Sequence, residues 1–256
     1  MKVLIRFLIR SLPRPLLIRM SYLFSWVFRI WYRGDKVYCP VCESYFRTFL
    51  PYGVNGRENV LCPICLSLER HRLLWMHLKE DGSFFEAPLK VLHVAPEQCF
   101  LKRFRELKNL DYTTADLESP IADIHFDLHD IPLEDDQYDL FICNHVLEHV
   151  EDYKRVLQEV MRILKPGGKA IMQVPLDYDR HTTFEDPSIT RPSDREKYFG
   201  QKDHLRVFGL DYPDIIRKQG FQVEELDYVS LLGEDRVSRY RLDPREILYI
   251  STKPGS

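Results

Sequence analysis

The sequence predicts an α/β protein: a doubly wound, seven-stranded sheet with its last strand antiparallel, preceded by a small cysteine module and a helical arm. Three observations carry this. The stretch Tyr138 to Pro175 reads as strand, short loop, amphipathic helix, glycine turn and strand, one βαβ unit whose crossover implies parallel pairing. Short apolar runs before and after it alternate with helical patterns and end on polar residues. Two Cys-x-x-Cys pairs stand apart, in a stretch with little apolar sequence to bury.

Composition bounds the rest. The 256 residues suffice for one substantial domain and something small, and 45% hydrophobic with 29% charged residues is ordinary for a globular chain. The net charge of −3 is uneven: residues 1–36 carry +7, residues 37–80 +1 and residues 81–256 −11. A nucleic-acid binder needs a basic surface, so nucleic acid is not an expected partner. No cleavable signal peptide is read at the start, because Arg6 and Arg10 interrupt the apolar run and no small-residue cleavage site follows. A reducing, cytoplasmic setting is therefore expected, where paired cysteines suggest metal over disulfides.

The arm spans 1–36. Lys2, Arg6 and Arg10 share one helical face, Pro13 and Pro15 break the helix, and a second apolar stretch from Leu16 to Tyr32 holds Trp26 and Trp31. Arg19 and Arg29 leave nine residues between them, whereas a spanning helix needs about 20. Residues 1–33 are expected to lie on a membrane surface, peripheral on its inner face. The alternative is an arm packed on protein.

Residues 37–80 form the cysteine module and a linking helix. Cys39 and Cys42 are followed after 19 residues by Cys62 and Cys65. That separation can bring four thiolates to the corners of a tetrahedron, and sulfur-only tetrahedral sites favour zinc or iron. The proline inside each pair makes the segment resemble a zinc ribbon. Four cysteines leave no open position, so zinc there is expected to be structural. His71 and His77 fall in the pattern of the following helix and read as helix-face residues.

Residues 85–256 form the main domain. Lys90 to Ala95 is its first strand, with a helix from Pro96; Tyr112 to Ala115 is the second, ending at Asp116; Ala122 to Phe126 is the third, ending at Asp127. Asp139 to Cys143 is the fourth, ending at Asn144, and Val156, Val160, Ile163 and Leu164 mark the helix after it. Lys165-Pro-Gly-Gly168 ends that helix with a left-handed glycine, and Ala170 to Val174 is the fifth strand. Residues 176–208 are a polar insertion; a helix over 211–219 and strands over 221–227 and 246–252 close the sheet. Parallel strands put Asn144, His145, Glu148 and His149 at the carboxyl edge, where open α/β sheets bind ligands.

Asn144, Val146-Leu-Glu-His-Val150 and Leu164-Lys-Pro-Gly-Gly168 together resemble the class I S-adenosylmethionine-dependent methyltransferases, in their type 11-like domain. The resemblance implies a Rossmann-like sheet and S-adenosyl-L-methionine as cofactor. Where that family has an acid-x-Gly-x-Gly loop, this chain has His93-Val-Ala-Pro-Glu97, a variant also found in methyltransferase-like proteins. His93, Ala95 and Glu97 are the expected contacts of this loop, with Ala95 replacing the first glycine and Glu97 meeting the cofactor's amino group. By the same resemblance Asp116 holds both ribose hydroxyls, with Glu118 as its alternate, Asp127 and Leu128 meet the adenine, and Asn144 faces the sulfonium.

Methyl transfer from a sulfonium is an in-line displacement, for which the protein chiefly supplies alignment. A hydroxyl or amine acceptor also gains from a base. His145, His149 and His204 are the candidates; His204 lies in a His-x-Arg-x-Phe pattern that family members often carry near the acceptor. The acids, Arg180 and His181 of the 177–186 segment suggest a polar acceptor, small or linked to a lipid or glycan. Two other readings stand beside this one: an RNA base methyltransferase, and a membrane-recruited scaffold without catalysis.

Overall fold

The computed structural model describes residues 30–53 and 56–255. Most of the expected arm and membrane-binding segment, residues 1–29, lies outside the described residues. Among the described residues no helix is long and apolar enough to cross a membrane.

The chain forms two compact units, one holding the described residues through Ser83 with Gln98–Arg103 and Tyr228–Glu246, the other Phe84–Glu97, Phe104–Asp227 and the end of the chain from Ile247. In the first unit, β1 (Arg33–Cys39) pairs with β2 (Ser44–Phe46) and β3 (Leu50–Tyr52) with β4 (Arg57–Leu61), both antiparallel. Helix α1 (Glu69–Asp81) follows and buries Leu73, Leu74, Trp75 and Leu78. Arg72 on α1 is fully buried. Its guanidinium donates to the carbonyls of Val60 and Ser67, each at 2.9 Å, and to those of Tyr240 and Arg241.

The second unit begins within α2 (Ser83–Glu86) and holds β5 (Leu89–Val94), the end of α3 (Gln98–Glu106) from Phe104, β6 (Leu110–Asp116), β7 (Ile124–His125) and β8 (Tyr138–Cys143). Then come α4 (Tyr153–Ile163), β9 (Leu164–Ile171), β10 (Phe184–Glu185), α5 (Pro192–Phe199), β11 (Arg206–Val207), α6 (Tyr212–Arg217) and β12 (Gln222–Leu226). After α7 (Tyr228–Leu232) and α8 (Glu234–Tyr240) of the first unit, β13 (Leu248–Thr252) closes the sheet.

Seven strands make one sheet in the order β12–β13–β9–β8–β5–β6–β7. Strand β5 runs parallel to both neighbours, with Val91 opposite Tyr112 on β6 and Leu140 on β8. Strand β13 runs antiparallel to β9 and β12. This is the expected doubly wound, Rossmann-like sheet with its last strand reversed. The chain moves outward from β5 to β7 and then restarts on the other side of β5 with β8. That reversal leaves a crevice at the carboxyl ends of β5 and β8.

Helix α4 is built as its sequence demands. Asp152 caps it, accepting at 3.1 Å from the amides of Lys154 and Arg155. Its apolar stripe Val156, Leu157, Val160 and Ile163 is completely buried. The helix stops at Ile163, and Leu164 enters β9 directly, so Lys165–Gly168 lies within a strand and forms no glycine cap. The residues there kink the strand instead: Gly167 has φ +79°, and a Cβ on Gly168 would sit 2.8 Å from the Lys165 carbonyl and 2.9 Å from that of Tyr138. The strand also ends at Ile171, short of Val174. The next backbone groups are taken by side chains, the Met172 carbonyl by the Tyr212 hydroxyl and the Gln173 amide by Asn144 Oδ1. The first helix likewise starts later than Pro96, with Glu97 as the residue before it.

Candidate functional site

Strand ends β5, β6 and the loops after β7 and β8 surround a cavity of about 650 Å³ in the second unit. Ala95, Asp116, Asp127, Leu128 and His149, all singled out in the sequence, line it together with Leu117, Phe126 and His129. Ala95 follows β5 with φ +49°, a left-handed conformation that glycine adopts freely and alanine does not. The backbone shape of the expected glycine is thus kept without the glycine.

Asp116 ends β6. Its Oδ1 accepts from the amides of Glu118 at 3.0 Å and Ser119 at 2.8 Å, which folds the chain back as an Asx turn. One oxygen is therefore structural, and Oδ2 accepts no hydrogen bond from a described residue. Asp127 is arranged similarly, with Oδ1 taking the His129 amide at 2.9 Å and the His129 ring at 2.6 Å. The His129 amide bond holds the Asp127 carboxyl below its ordinary range, so it stays ionised. His129 in turn accepts the Asp152 amide through Nε2 at 3.1 Å, tying this wall to the start of α4.

His93, Glu97 and Asn144 lie deeper. His93 is fully buried, and its Nδ1 meets the Tyr112 hydroxyl at 2.8 Å. Its Nε2 pairs with Glu97 Oε2, and Glu97 Oε1 accepts from Asn144 Nδ2 at 3.0 Å. Asn144 Oδ1 takes the Gln173 amide at 3.1 Å, and Gln173 spans to Ile247 and Tyr249 on the approach to β13. These residues form one chain of hydrogen bonds running through β6, β5, β8 and β13. A low dielectric makes each link strong and each missing link costly.

The Leu-Glu-His turn and the His-x-Arg-x-Phe segment, distant in sequence, meet. Arg206 is 3% exposed and clamps the turn, donating to the carbonyls of Leu147 at 2.7 Å, Val150 at 2.6 Å and Glu151 at 2.9 Å. Phe208 packs edge-on against Tyr153 and Tyr212. His204 is thereby set beside His149, ring centres 4.7 Å apart, and beside the buried Glu148. His145 has φ +56° and places Nδ1 3.4 Å from Glu148 Oε1. Of the three expected histidines, His149 lines the cavity and His145 and His204 do not.

In the first unit the four cysteine sulfurs all lie within 4.8 Å of one another. Cys39 and Cys65 are 3.5 Å apart and Cys42 and Cys62 3.6 Å. Each pair ends in the same local shape, the residue after the second cysteine being left-handed: Glu43 at φ +51° and Leu66 at +61°. Tetrahedral sulfurs about 2.3 Å from a metal are about 3.8 Å apart, so the set can hold one. The buried Arg72 cation also feels the sulfurs of Cys39, Cys62 and Cys65.

Sequence reasoning missed His129, Phe126 and Leu117. The signal for His129 was available: a histidine two residues after a strand-end aspartate, within reach of its carboxylate.

Residues 80–172 match the family model described as Methyltransferase domain. An uncharacterised protein of Methanocaldococcus jannaschii is 29% identical over 93 residues, 36% of this chain and 42% of its own length. The 2-phytyl-1,4-naphtoquinone methyltransferase of Nostoc punctiforme is 40% identical over 60 residues, 23% of this chain and 25% of that one. The demethylmenaquinone methyltransferase of Chlamydia pneumoniae is 27% identical, over 39% of this chain and 50% of that one. The chain thus spans half or less of the length of these curated relatives. An S-adenosylmethionine-dependent methyltransferase from Mesorhizobium loti is a solved structure with a TM-score of 0.47 and 16% identity, covering 70% of this chain and 96% of the other. In motif, strand order and family model, residues 80–172 are similar to a methyltransferase domain.

Proposed function

We propose that this protein is an S-adenosylmethionine-dependent methyltransferase whose cofactor binds in the cavity at the carboxyl ends of β5, β6 and β7. The observation that carries the reading is the pair of strand-end carboxylates on one wall. Asp116 and Asp127 each spend Oδ1 on the local turn and keep Oδ2 for a ligand. Asp116 Oδ2 accepts from the ribose hydroxyls. Asp127 and the Leu128 amide meet the adenine edge. When bound, S-adenosylmethionine supplies a methyl group already activated as a sulfonium. The chain's own task is then alignment: the left-handed Ala95 lets backbone approach closely, and the His93–Glu97–Asn144 chain fixes the strand ends on which the site rests.

The acceptor is read as polar, small or carried on a lipid or glycan. The quinone names of two relatives favour a lipid-linked one. The basic residues of 1–33 would suit such an acceptor by holding the protein against an anionic membrane surface. In the other unit, Cys39, Cys42, Cys62 and Cys65 are read as a structural zinc site, supported by their spacing and by four sulfurs within 4.8 Å of one another. Calorimetry with S-adenosylmethionine tests the enzyme reading. Binding that weakens at least tenfold in Asp116→Ala is expected; an unmodified protein that binds none would leave the scaffold reading. Elemental analysis finding neither zinc nor iron in protein purified without chelator would remove the metal reading.

A further inference from the structure

The strongest unassigned cluster is Glu148, His149 and His204. Each offers one ligand atom, and the three atoms lie within 4.8 Å of one another. Glu148 is 1% exposed and His204 5%. Glu148 Oε2 and His204 Nε2 are both buried and have no hydrogen-bond partner among the described residues. A buried carboxylate oxygen and a buried ring nitrogen without partners are costly, and a cation would satisfy both at once.

The orientation of the rings points the same way. His204 Nδ1 lies 3.2 Å from the Phe199 carbonyl, which can only accept, so the proton sits on Nδ1 and the lone pair on Nε2. His149 repeats the arrangement, with Nδ1 3.3 Å from the Asp203 carbonyl and 3.4 Å from its carboxylate. Its Nε2 faces Glu148 Oε1 at 3.9 Å. An outer oxygen that fixes the inner nitrogen for coordination is the usual support of a metal-binding histidine. Ligands about 2.1 Å from a metal stand about 3.4 Å apart in a tetrahedron, so closing the set takes only small side-chain rotations.

We propose that Glu148, His149 and His204 bind a divalent transition-metal cation, at a site separate from the cysteine cluster. Two imidazoles and one carboxylate suit iron, cobalt, manganese or zinc in the +2 state and leave coordination positions open. His149 also lines the cavity, so an open position can face a bound molecule, and an oxygen atom, from water or from an acceptor hydroxyl, fills it. The proposal does not depend on the methyltransferase reading, since cation binding is measured without cofactor or acceptor. Arg206, which clamps the turn carrying Glu148 and His149, is its positioning residue.

The test is a Co²⁺ titration of the full chain after its cysteines have been loaded with one equivalent of zinc, followed by calorimetry and by the visible spectrum of the cobalt. One further equivalent is expected, with a spectrum lacking thiolate-to-cobalt charge transfer. Glu148→Gln and His149→Gln should each weaken it at least tenfold. His149 is half-exposed, so its variant keeps the fold, which a thermal melt verifies if His204→Gln does not. No second equivalent in the unmodified protein up to a Kd of about 1 mM would overturn the proposal, as would undiminished uptake by folded His149→Gln.

Discussion

Two halves of one sheet edge treat their polar residues in opposite ways. At the ends of β6 and β7, Asp116 and Asp127 face the cavity and each spends one oxygen on its own turn. At the ends of β5 and β8, Glu97 and Asn144 turn inward and join His93 in a buried hydrogen-bond chain. The first half keeps carboxylate oxygens open to the cavity. The second is already satisfied by protein and contributes rigidity. Residues that a motif places side by side thus divide by burial into those that can bind and those that hold the binders.

The largest effect should come from cutting the buried half. Glu97→Ala leaves His93 and Asn144 without their shared partner inside the sheet. Breaking a buried, hydrogen-bonded pair by removing one member costs roughly 3–5 kcal/mol. We expect a loss of that order in denaturant unfolding, with Glu97→Gln recovering part of it. A stable Glu97→Ala that merely fails to bind cofactor would put Glu97 in the binding half and break the comparison.

Asp116→Ala should do the reverse. Its turn bonds are replaceable by water, so the fold should lose only about 1 kcal/mol. Charge-assisted hydrogen bonds to a ribose are worth roughly 1.5–3 kcal/mol each, so S-adenosylmethionine affinity should fall tenfold or more. Equal affinity in the variant and the unmodified protein would mean that the open carboxylate oxygen holds nothing.

Tyr112→Phe sharpens the comparison further along. It removes one neutral hydrogen bond from His93 without emptying space, a change of about 1 kcal/mol in stability. No change in cofactor affinity is expected, because the hydroxyl lies on the satisfied side. A tenfold affinity loss without destabilisation would show that the buried chain reaches the ligand.

Much of this was legible in the sequence. Short apolar runs ending on Asp116, Asp127 and Asn144 marked strand ends, and the apolar stripe of α4 marked the crossover. What local reading could not give were the long-range pairings. Lys165–Gly168 carries the residues of a helix stop, yet crowding of Gly168 against the Tyr138 carbonyl puts it in a kinked strand. Residues 98–103 and 228–246 carry no mark that assigns them to the cysteine unit. Arg72 shows why residues 228–246 cluster there: its donors need the carbonyls of Tyr240 and Arg241 as much as those of Val60 and Ser67. The meeting of Glu148 with His204 was equally hidden, because the Arg206 clamp that produces it spans most of the second half of the domain.

The smallest effect is expected where the two halves meet. Ala95 donates its amide to the Ala115 carbonyl at 2.9 Å, joining β5 to β6, while its own side chain lines the cavity. Its φ of +49° costs a residue with a Cβ roughly 1–2 kcal/mol. Ala95→Gly relieves that strain but frees the unfolded chain, which takes back about 0.4–1 kcal/mol. The net gain should be near 0.5 kcal/mol, read as a small rise in Tm, with affinity for S-adenosylmethionine unchanged or slightly higher as the backbone opens. A clear loss of stability would mean that the Ala95 methyl is held by packing worth more than its strain. The left-handed turn would then be fixed by the protein interior and not by the needs of a ligand.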